Sequence, residues 1–310
     1  MRKEEFTFDS RDGHTKLYAV RYIPDGEIKG IVQLVHGMCE HISRYEEFAL
    51  FLVDKGFLVT GNDHLGHGKS IPEGGIKGYF CEDDPATVVV RDVHRLKKLT
   101  QEAYPGHKYI IFGHSMGSFI LRNYLCRYGT GIDGAIICGT GMISKSMLNT
   151  AKCIDSIINF FGGSKKPSKL LTFLSFGSYN KRIKDLRTIS DWLTRDEKIV
   201  DTYNEDPFCG FMFTGNGYKT LFELISRLYV YENLINVPKD LPLFFISGTE
   251  DPVGNYGEEV RKAVSSLEQV GVHGIELKMY EGDRHELVNE LDKDRVMRDI
   301  CNFIDNRILN

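Results

Sequence analysis

The chain lacks the features that would place it in several large protein classes. No uncharged apolar run approaches the roughly 20 residues of a helical membrane span. The first ten residues, M-R-K-E-E-F-T-F-D-S, contain no apolar core of the kind a secretory signal needs. The seven cysteines (Cys39, Cys81, Cys126, Cys138, Cys153, Cys209, Cys301) are odd in number and never spaced C-x-x-C. That pattern excludes a disulfide framework and a zinc ribbon, and reads as reduced thiols in a cytoplasmic protein. There is no N-x-[ST] sequon, no repeat and no low-complexity tract. Neither charge dominates: 39 basic residues against 43 acidic ones leave a net charge of -4, which argues against general nucleic-acid binding. No Walker A and no G-x-G-x-x-G sequence occurs, so no nucleotide cofactor is expected.

What is present is an alternation of buried-strand and helix patterns. With 310 residues, 42% of them hydrophobic, the chain suits one large domain with room for an inserted subdomain. Phe6 to Phe8 and Lys16 to Ile23 suggest an opening antiparallel hairpin. Gly30 to Val35, Phe57 to Thr60, Tyr109 to His114 and Gly134 to Cys138 are apolar strand candidates. Helical stretches at Arg44 to Lys55, Pro85 to Tyr104 and after Ser115 fall between them. This order implies an α/β fold: a mostly parallel sheet with helices on both faces. The alternation stops near Gly139 and resumes at Leu243 to Ser247. A helix at Glu258 to Val270, a strand at Ile275 to Tyr280 and a helix at Lys293 to Ile308 follow. The expected organisation is a core of residues 1–138 and 236–310 with residues 139–235 inserted as a helical cap.

In such sheets the chemistry sits outside the carboxyl ends of the strands. The stretch Y-I-I-F-G-H-S-M-G at 109–117 places Ser115 at one such end, between Gly113 and Gly117. G-x-S-x-G is the pattern of a nucleophile elbow, where a sharp strand-to-helix turn projects the serine hydroxyl. An ordinary strand-turn-helix junction is the plain alternative. A serine hydroxyl needs a base, a carboxylate to orient the base, and donors for the developing oxyanion. Later strand ends offer candidates for both the acid and the base. Asp251 follows the L-F-F-I-S-G strand and His285 follows I-E-L-K-M-Y. Each also has a simpler reading, as a turn aspartate before Pro252 and as a surface-loop histidine. Glu250 is an adjacent acid that fits less well. The N–H of Met116, at a helix N-terminus, and that of Met38, in the His36-Gly37-Met38 turn, are the candidate oxyanion donors. As general base His285 must start neutral, so activity is expected to fall on acidification. His64 and His67 lack a well-spaced acid or thiol partner, and no metal site is expected.

The segments H-G-M-C-E-H-I-S-R-Y (36–45), N-D-H-L-G-H-G-K-S (62–70), G-H-S-M-G (113–117), G-T-E-D-P-V-G (248–254) and E-G-D-R-H-E-L (281–287) together resemble the α/β-hydrolase superfamily. Within it they resemble the monoacylglycerol lipase and lysophospholipase branch, of serine aminopeptidase type. The resemblance implies the α/β-hydrolase fold, Ser115, His285 and Asp251 as a triad, and Met38 and Met116 at the oxyanion. It also implies Glu40 and Arg44 near the polar head of the substrate; a structural ion pair is the other reading of those two residues. Two departures stand out. Leu65 occupies a position where the family usually has arginine, and Val288 one where animal-type monoacylglycerol lipases have a histidine. The implied activity is hydrolysis of carboxylic esters of single-chain lipids, without a cofactor or metal. Other acyl-transfer enzymes on the same triad, an iminopeptidase or an acyltransferase, and a non-catalytic binding protein are the alternatives.

Residues 145–187 carry nine Lys or Arg and only two acids, Asp155 and Asp185, among many Ile, Leu and Phe. A basic, apolar cap suggests contact with lipid or anionic head groups and an apolar acyl pocket beneath it. A solvated charged face over the cap's own small core is the plain alternative. The Asp206 to Thr220 stretch resembles a loop of this branch whose aromatics would line the entrance.

Overall fold

The computed structural model describes residues 1–310. Eight strands form one sheet: β1 (Arg2–Asp9), β2 (Lys16–Ile23), β3 (Gly30–Val35), β4 (Phe57–Asn62), β5 (Tyr109–His114), β6 (Gly134–Cys138), β7 (Leu243–Gly248) and β8 (Ile275–Tyr280). Their spatial order is β1-β2-β4-β3-β5-β6-β7-β8. β1 with β2 and β2 with β4 pair antiparallel, and every later pair is parallel. The physical reason lies in the residue patterns. β3 to β7 are buried throughout, as strands covered on both faces must be. β1, at the edge, is largely exposed.

Ten α-helices accompany the strands: α1 (Glu46–Asp54), α2 (Pro85–Ala103), α3 (Met116–Tyr128), α4 (Lys145–Ile158), α5 (Lys169–Phe176), α6 (Glu197–Glu205), α7 (Gly215–Arg227), α8 (Tyr231–Leu234), α9 (Glu258–Glu268) and α10 (Lys293–Ile304). One face of the sheet packs on α1 and α10 through Phe48, Leu52, Ile300 and Phe303. The other packs on α2, α3 and α9 through Val93, Leu96, Ile120, Tyr124 and Val260. Local chemistry sets the helix starts. Asp84 caps α2, accepting from Thr87 N–H, with Pro85 in the first turn. Ser144, Ser168, Asp196 and Thr214 cap α4, α5, α6 and α7 in the same way.

The expected alternation is observed, with two differences at helix ends. The helix read from Arg44 opens as a 3₁₀ turn (Ile42–Tyr45) before α1. The last one is regular only to Ile304, and Asp305–Leu309 widen into a π turn. Between β6 and β7 the chain runs through α4 to α8 without a strand, apart from a single Pro167–Thr214 bridge. β6 and β7 are nonetheless direct neighbours, so the chain leaves and rejoins the sheet at one place. All seven cysteines are unpaired.

Candidate active site

The carboxyl ends of β3, β5, β7 and β8 meet at one sheet edge. At the end of β5 the apolar strand stops at His114, and Ser115 adopts φ 54°, ψ -121° before α3 begins. A non-glycine residue there is strained, and the surroundings hold it. Ser115 N–H donates to Cys138 O at 3.0 Å, and Ser115 O accepts from Ser118 N–H at 2.8 Å. The flanking glycines are required sterically. A Cβ on Gly113 would stand 2.5 Å from Gly117 O, and one on Gly117 would collide with the Val35 carbonyl oxygen.

Asp251 and His285 lie on the loops after β7 and β8 and are buried. The two loops are bonded to each other: Glu250 N–H donates to Asp283 O at 2.9 Å, and Gly282 N–H to Thr249 Oγ1 at 2.9 Å. His285 Nδ1 lies 3.0 Å from both Asp251 carboxylate oxygens. Asp251 Oδ1 also accepts from Val253 N–H at 2.9 Å, which fixes the carboxylate. A carboxylate only accepts, so the proton sits on Nδ1 and Nε2 keeps its lone pair. Nε2 is buried and has no hydrogen-bond partner. The His285 ring is 4.6 Å from the His114 ring, one residue before Ser115. Ser115 Oγ and Nε2 are not hydrogen-bonded to each other, as is common for such pairs without substrate.

The turn after β3 comes alongside. A Cβ on Gly37 would stand 3.0 Å from Ser115 Cβ, so this turn and the elbow touch. The backbone N–H groups of Met38 and Met116 make no hydrogen bond within the chain. Glu40 holds the turn from beneath. Its Oε1 accepts from Gly37 N–H at 2.6 Å and Tyr45 OH at 2.8 Å, and its Oε2 from Arg44 at 2.6 Å. Arg44 also grips both oxygens of Glu286 at 2.7 Å, a bidentate pair spanning most of the chain. Glu40 and Arg44 therefore form a buried ion pair, the structural one of the two readings offered by the sequence. Burial opposes the charge on Glu40, but the His114 hydrogen bond and the Arg44 charge hold its carboxyl well below the usual range. Burial likewise opposes protonation of His114, and Glu40 outweighs it and raises the imidazole. Its Nδ1 faces Tyr45 OH and Glu40, and its Nε2 faces His285 O at 3.3 Å, an arrangement suited to a ring carrying both protons.

His36, His64 and His67, near the turn, are packed and neutral. His36 Nε2 accepts from His64 N–H at 3.0 Å, and His67 Nδ1 donates to Leu65 O at 2.9 Å. Burial pushes His64 down to about 3 and His67 to about 4. Leu65 is buried in the larger core, so packing stands where the family's arginine would be. The aromatics after Asp206 divide: Phe208 is exposed, whereas Phe213 is fully buried against His67 and Phe80 and lines no entrance. A cavity of about 370 Å³ opens between the insertion and the Asp251 and His285 loops. Arg182, Lys184, Arg195, Glu250 and Arg284 line it beside Tyr179 and Trp192, so it is not the expected apolar acyl pocket.

Three contributors to the site were not read from the sequence. Glu286 follows His285 directly, yet its partner Arg44 lies 242 residues away. Trp192 packs on His285 and Arg195 on the same loop, both from the insertion, where no periodic signal pointed at the sheet edge. The charge of E-G-D-R-H-E-L beside the histidine was the available clue.

The eight-stranded sheet, its strand order and the elbow at Ser115 are those of an α/β-hydrolase. Residues 26–292 match the profile of one family within that fold, serine aminopeptidase, S33, and the chain belongs to it. Among curated relatives, the monoglyceride lipase of Rattus norvegicus is 27% identical over 299 residues, 94% of this chain and 88% of that one. The monoacylglycerol lipase of Mycolicibacterium smegmatis is 26% identical over 312 residues, 97% of each chain. Among solved structures, a thermostable carboxyl esterase from Bacillus coagulans in complex with glycerol superposes with a TM-score of 0.92. It is 33% identical, and the match covers 99% of both chains.

Proposed function

We propose that this protein is a serine hydrolase of carboxylic esters with Ser115 as nucleophile, His285 as general base and Asp251 as the acid that orients it. The observation that carries the reading is the His285–Asp251 pair: Nδ1 is held at 3.0 Å from the carboxylate, and the unpartnered Nε2 is left beside the strained elbow. Ser115 Oγ attacks the ester carbonyl carbon as its proton passes to Nε2. The tetrahedral oxyanion is received by the N–H groups of Met38 and Met116, which have no competing acceptor. His285 then protonates the leaving alcohol, and the acyl group remains on Ser115. Water attacks the acyl carbon while His285 takes its proton; the bond from the acyl carbon to Ser115 Oγ then breaks, His285 returns the proton to Oγ, and the carboxylic acid departs. Buried Asp251 balances the imidazolium in both steps.

The substrates are esters of single-chain lipids, monoacylglycerols or lysophospholipids. The lipase relatives support this, and so does the insertion. Phe160, Phe161 and Phe173 are 84%, 78% and 70% exposed, and Lys165, Lys166 and Lys169 lie among them in sequence. In this reading residues 139–235 are a cap whose apolar, basic face touches a lipid surface. No helix is long and apolar enough to cross a membrane.

A fluorophosphonate probe and a hydrolysis panel test the reading. The panel holds p-nitrophenyl esters, monoacylglycerols, lysophospholipids and aminoacyl amides. Labelling and ester hydrolysis that vanish in Ser115→Ala are expected. Folded wild type that fails to label, or that cleaves only the amides, would overturn it.

A further inference from the structure

Arg195 comes from the insertion, far from Ser115 in sequence, and is the hub of a charge cluster on the loop that carries His285. Its Nε donates to Glu290 Oε2 at 2.9 Å and its Nη2 to Asp292 Oδ1 at 2.9 Å. Nη2 also pairs with Asp283. Its own N–H donates to Glu290 Oε1 at 3.0 Å, and the same oxygen accepts from Arg284 N–H at 2.9 Å. Arg284 is the residue immediately before His285. The three carboxylates present oxygens within 4.8 Å of one another, and the side chains of Asp283 and Glu290 are fully buried. One guanidinium thus serves three acids, and one oxygen of Asp283 is left with no partner at all. Without the guanidinium the carboxylates would repel one another in a poorly solvated place.

The neighbouring residues of the insertion fasten the same loop through the backbone. Glu286 N–H donates to Leu193 O at 2.7 Å, and Thr194 Oγ1 to Asn289 O at 3.0 Å. Arg284 Nη1 reaches back to Asp191 O at 2.6 Å and Thr194 O at 3.1 Å. Residues on both sides of His285 are therefore tied to the 191–195 segment.

We propose that Arg195 is a positioning residue: by drawing Asp283, Glu290 and Asp292 onto one guanidinium, it sets where the His285 loop stands relative to Ser115. This rests on His285 being the general base. Arg195 touches neither the imidazole nor the elbow, so it acts only through the loop. Its effect belongs in turnover, because a base displaced by about 1 Å costs roughly 100-fold in rate while the acyl site is untouched.

The experiment is steady-state hydrolysis of a soluble p-nitrophenyl ester by wild type, Arg195→Gln, Arg195→Lys and His285→Ala. Each rate is normalised to the folded fraction from denaturant unfolding. Arg195→Gln should lower kcat by roughly 10- to 100-fold with KM within about threefold. Arg195→Lys, which keeps the charge and loses the fork, should recover part of the loss. A normalised kcat equal to wild type in Arg195→Gln would overturn the inference, as would a raised KM at unchanged kcat. If His285→Ala is inactive in that case, the base assignment survives and only the role of Arg195 falls. If His285→Ala turns over like wild type, the base assignment itself has failed.

Discussion

The indole of Trp192 lies against the imidazole of His285, with ring centroids 5.1 Å apart and planes inclined at 39°. The indole comes from the insertion and the imidazole from the loop after β8, and Tyr179 packs edge-on against the indole at 4.9 Å. Trp192 is the single tryptophan of the chain, so its fluorescence reports on this one place in the fold. Removing the imidazole takes away one wall of the indole's surroundings, so His285→Ala should shift the emission relative to wild type. Emission identical in the two proteins would contradict the contact. Trp192→Ala should also lower kcat, by roughly 10-fold, because the ring it supports loses one wall.

Ser115 holds a backbone conformation that glycine adopts freely. Strain of this kind costs about 1–3 kcal/mol, and glycine returns about 0.5–1 kcal/mol of that as lost chain entropy. Ser115→Gly should therefore unfold at higher denaturant concentration than wild type by about 1 kcal/mol, and be inactive. Ser115→Ala, equally inactive, should gain no such stability. Equal stabilities for the two variants would contradict the strain.

Glu40 answers four donors at once beneath the turn that carries Met38. Glu40→Gln keeps the shape and removes the charge. Arg44 then has only Glu286, and His114 loses the group that raises it. The expected cost is about 3 kcal/mol in denaturant unfolding, with reduced hydrolysis because the Gly37 turn loosens. A variant as stable as wild type would show that the network is not under electrostatic load.

Asp92 gives a pH dependence of definite sign. It is buried on α2, where burial, despite hydrogen bonds from Arg11 N–H and Ser10 Oγ, pushes it up to about 7. Unfolded, it titrates near its ordinary value of about 3.9. The folded chain therefore holds this proton more tightly. The stability it contributes is complete below about pH 4 and is lost as pH rises through about 7. Asp92→Asn cannot lose a proton. Its stability relative to wild type should grow from pH 4 to pH 8, by up to about 4 kcal/mol. Melting curves of both proteins at four pH values check this, and a pH-independent difference would refute it.

The exposed phenylalanines of the insertion predict a surface activity. Phe160→Ser with Phe161→Ser should reduce co-sedimentation with anionic phosphatidylglycerol vesicles by several-fold. Hydrolysis of a soluble ester should stay within about twofold, since both rings stand in solvent. Vesicle binding equal to wild type would make this face an ordinary solvated one.

How far the sequence spoke for the structure depended on the range of each interaction. The strands were legible because β3 to β7 are short, continuous apolar runs bounded by turn residues. The strand-end positions of Ser115 and Asp251 were legible from the runs of β5 and β7, and that of His285 from the alternating I-E-L-K-M-Y of β8, five residues before it. The insertion was legible as a break in alternation, and its inner packing was not. Phe213 reads like any loop aromatic, and only the fold reveals that it fills the space between His67 and Phe80. Arg44 with Glu286 and Arg195 with Asp283 join residues whose separation follows no helix or strand period, so no local pattern announces them.

The return of the chain to the same place in the sheet has a consequence for biosynthesis. β6 ends at Cys138, and its neighbour β7 begins only at Leu243, about 100 residues later. At the usual pace of translation, roughly 5–20 residues per second, a chain that folds as it is made waits roughly 5–20 s with the outer edge of β6 unpaired. That edge is wholly apolar and offers its peptide groups to any passing strand. The nascent chain is thus most exposed to aggregation after Ser115 is made and before His285 exists. Slowing synthesis within the insertion should lengthen that interval and lower the soluble yield, whereas slowing it after β8 should not.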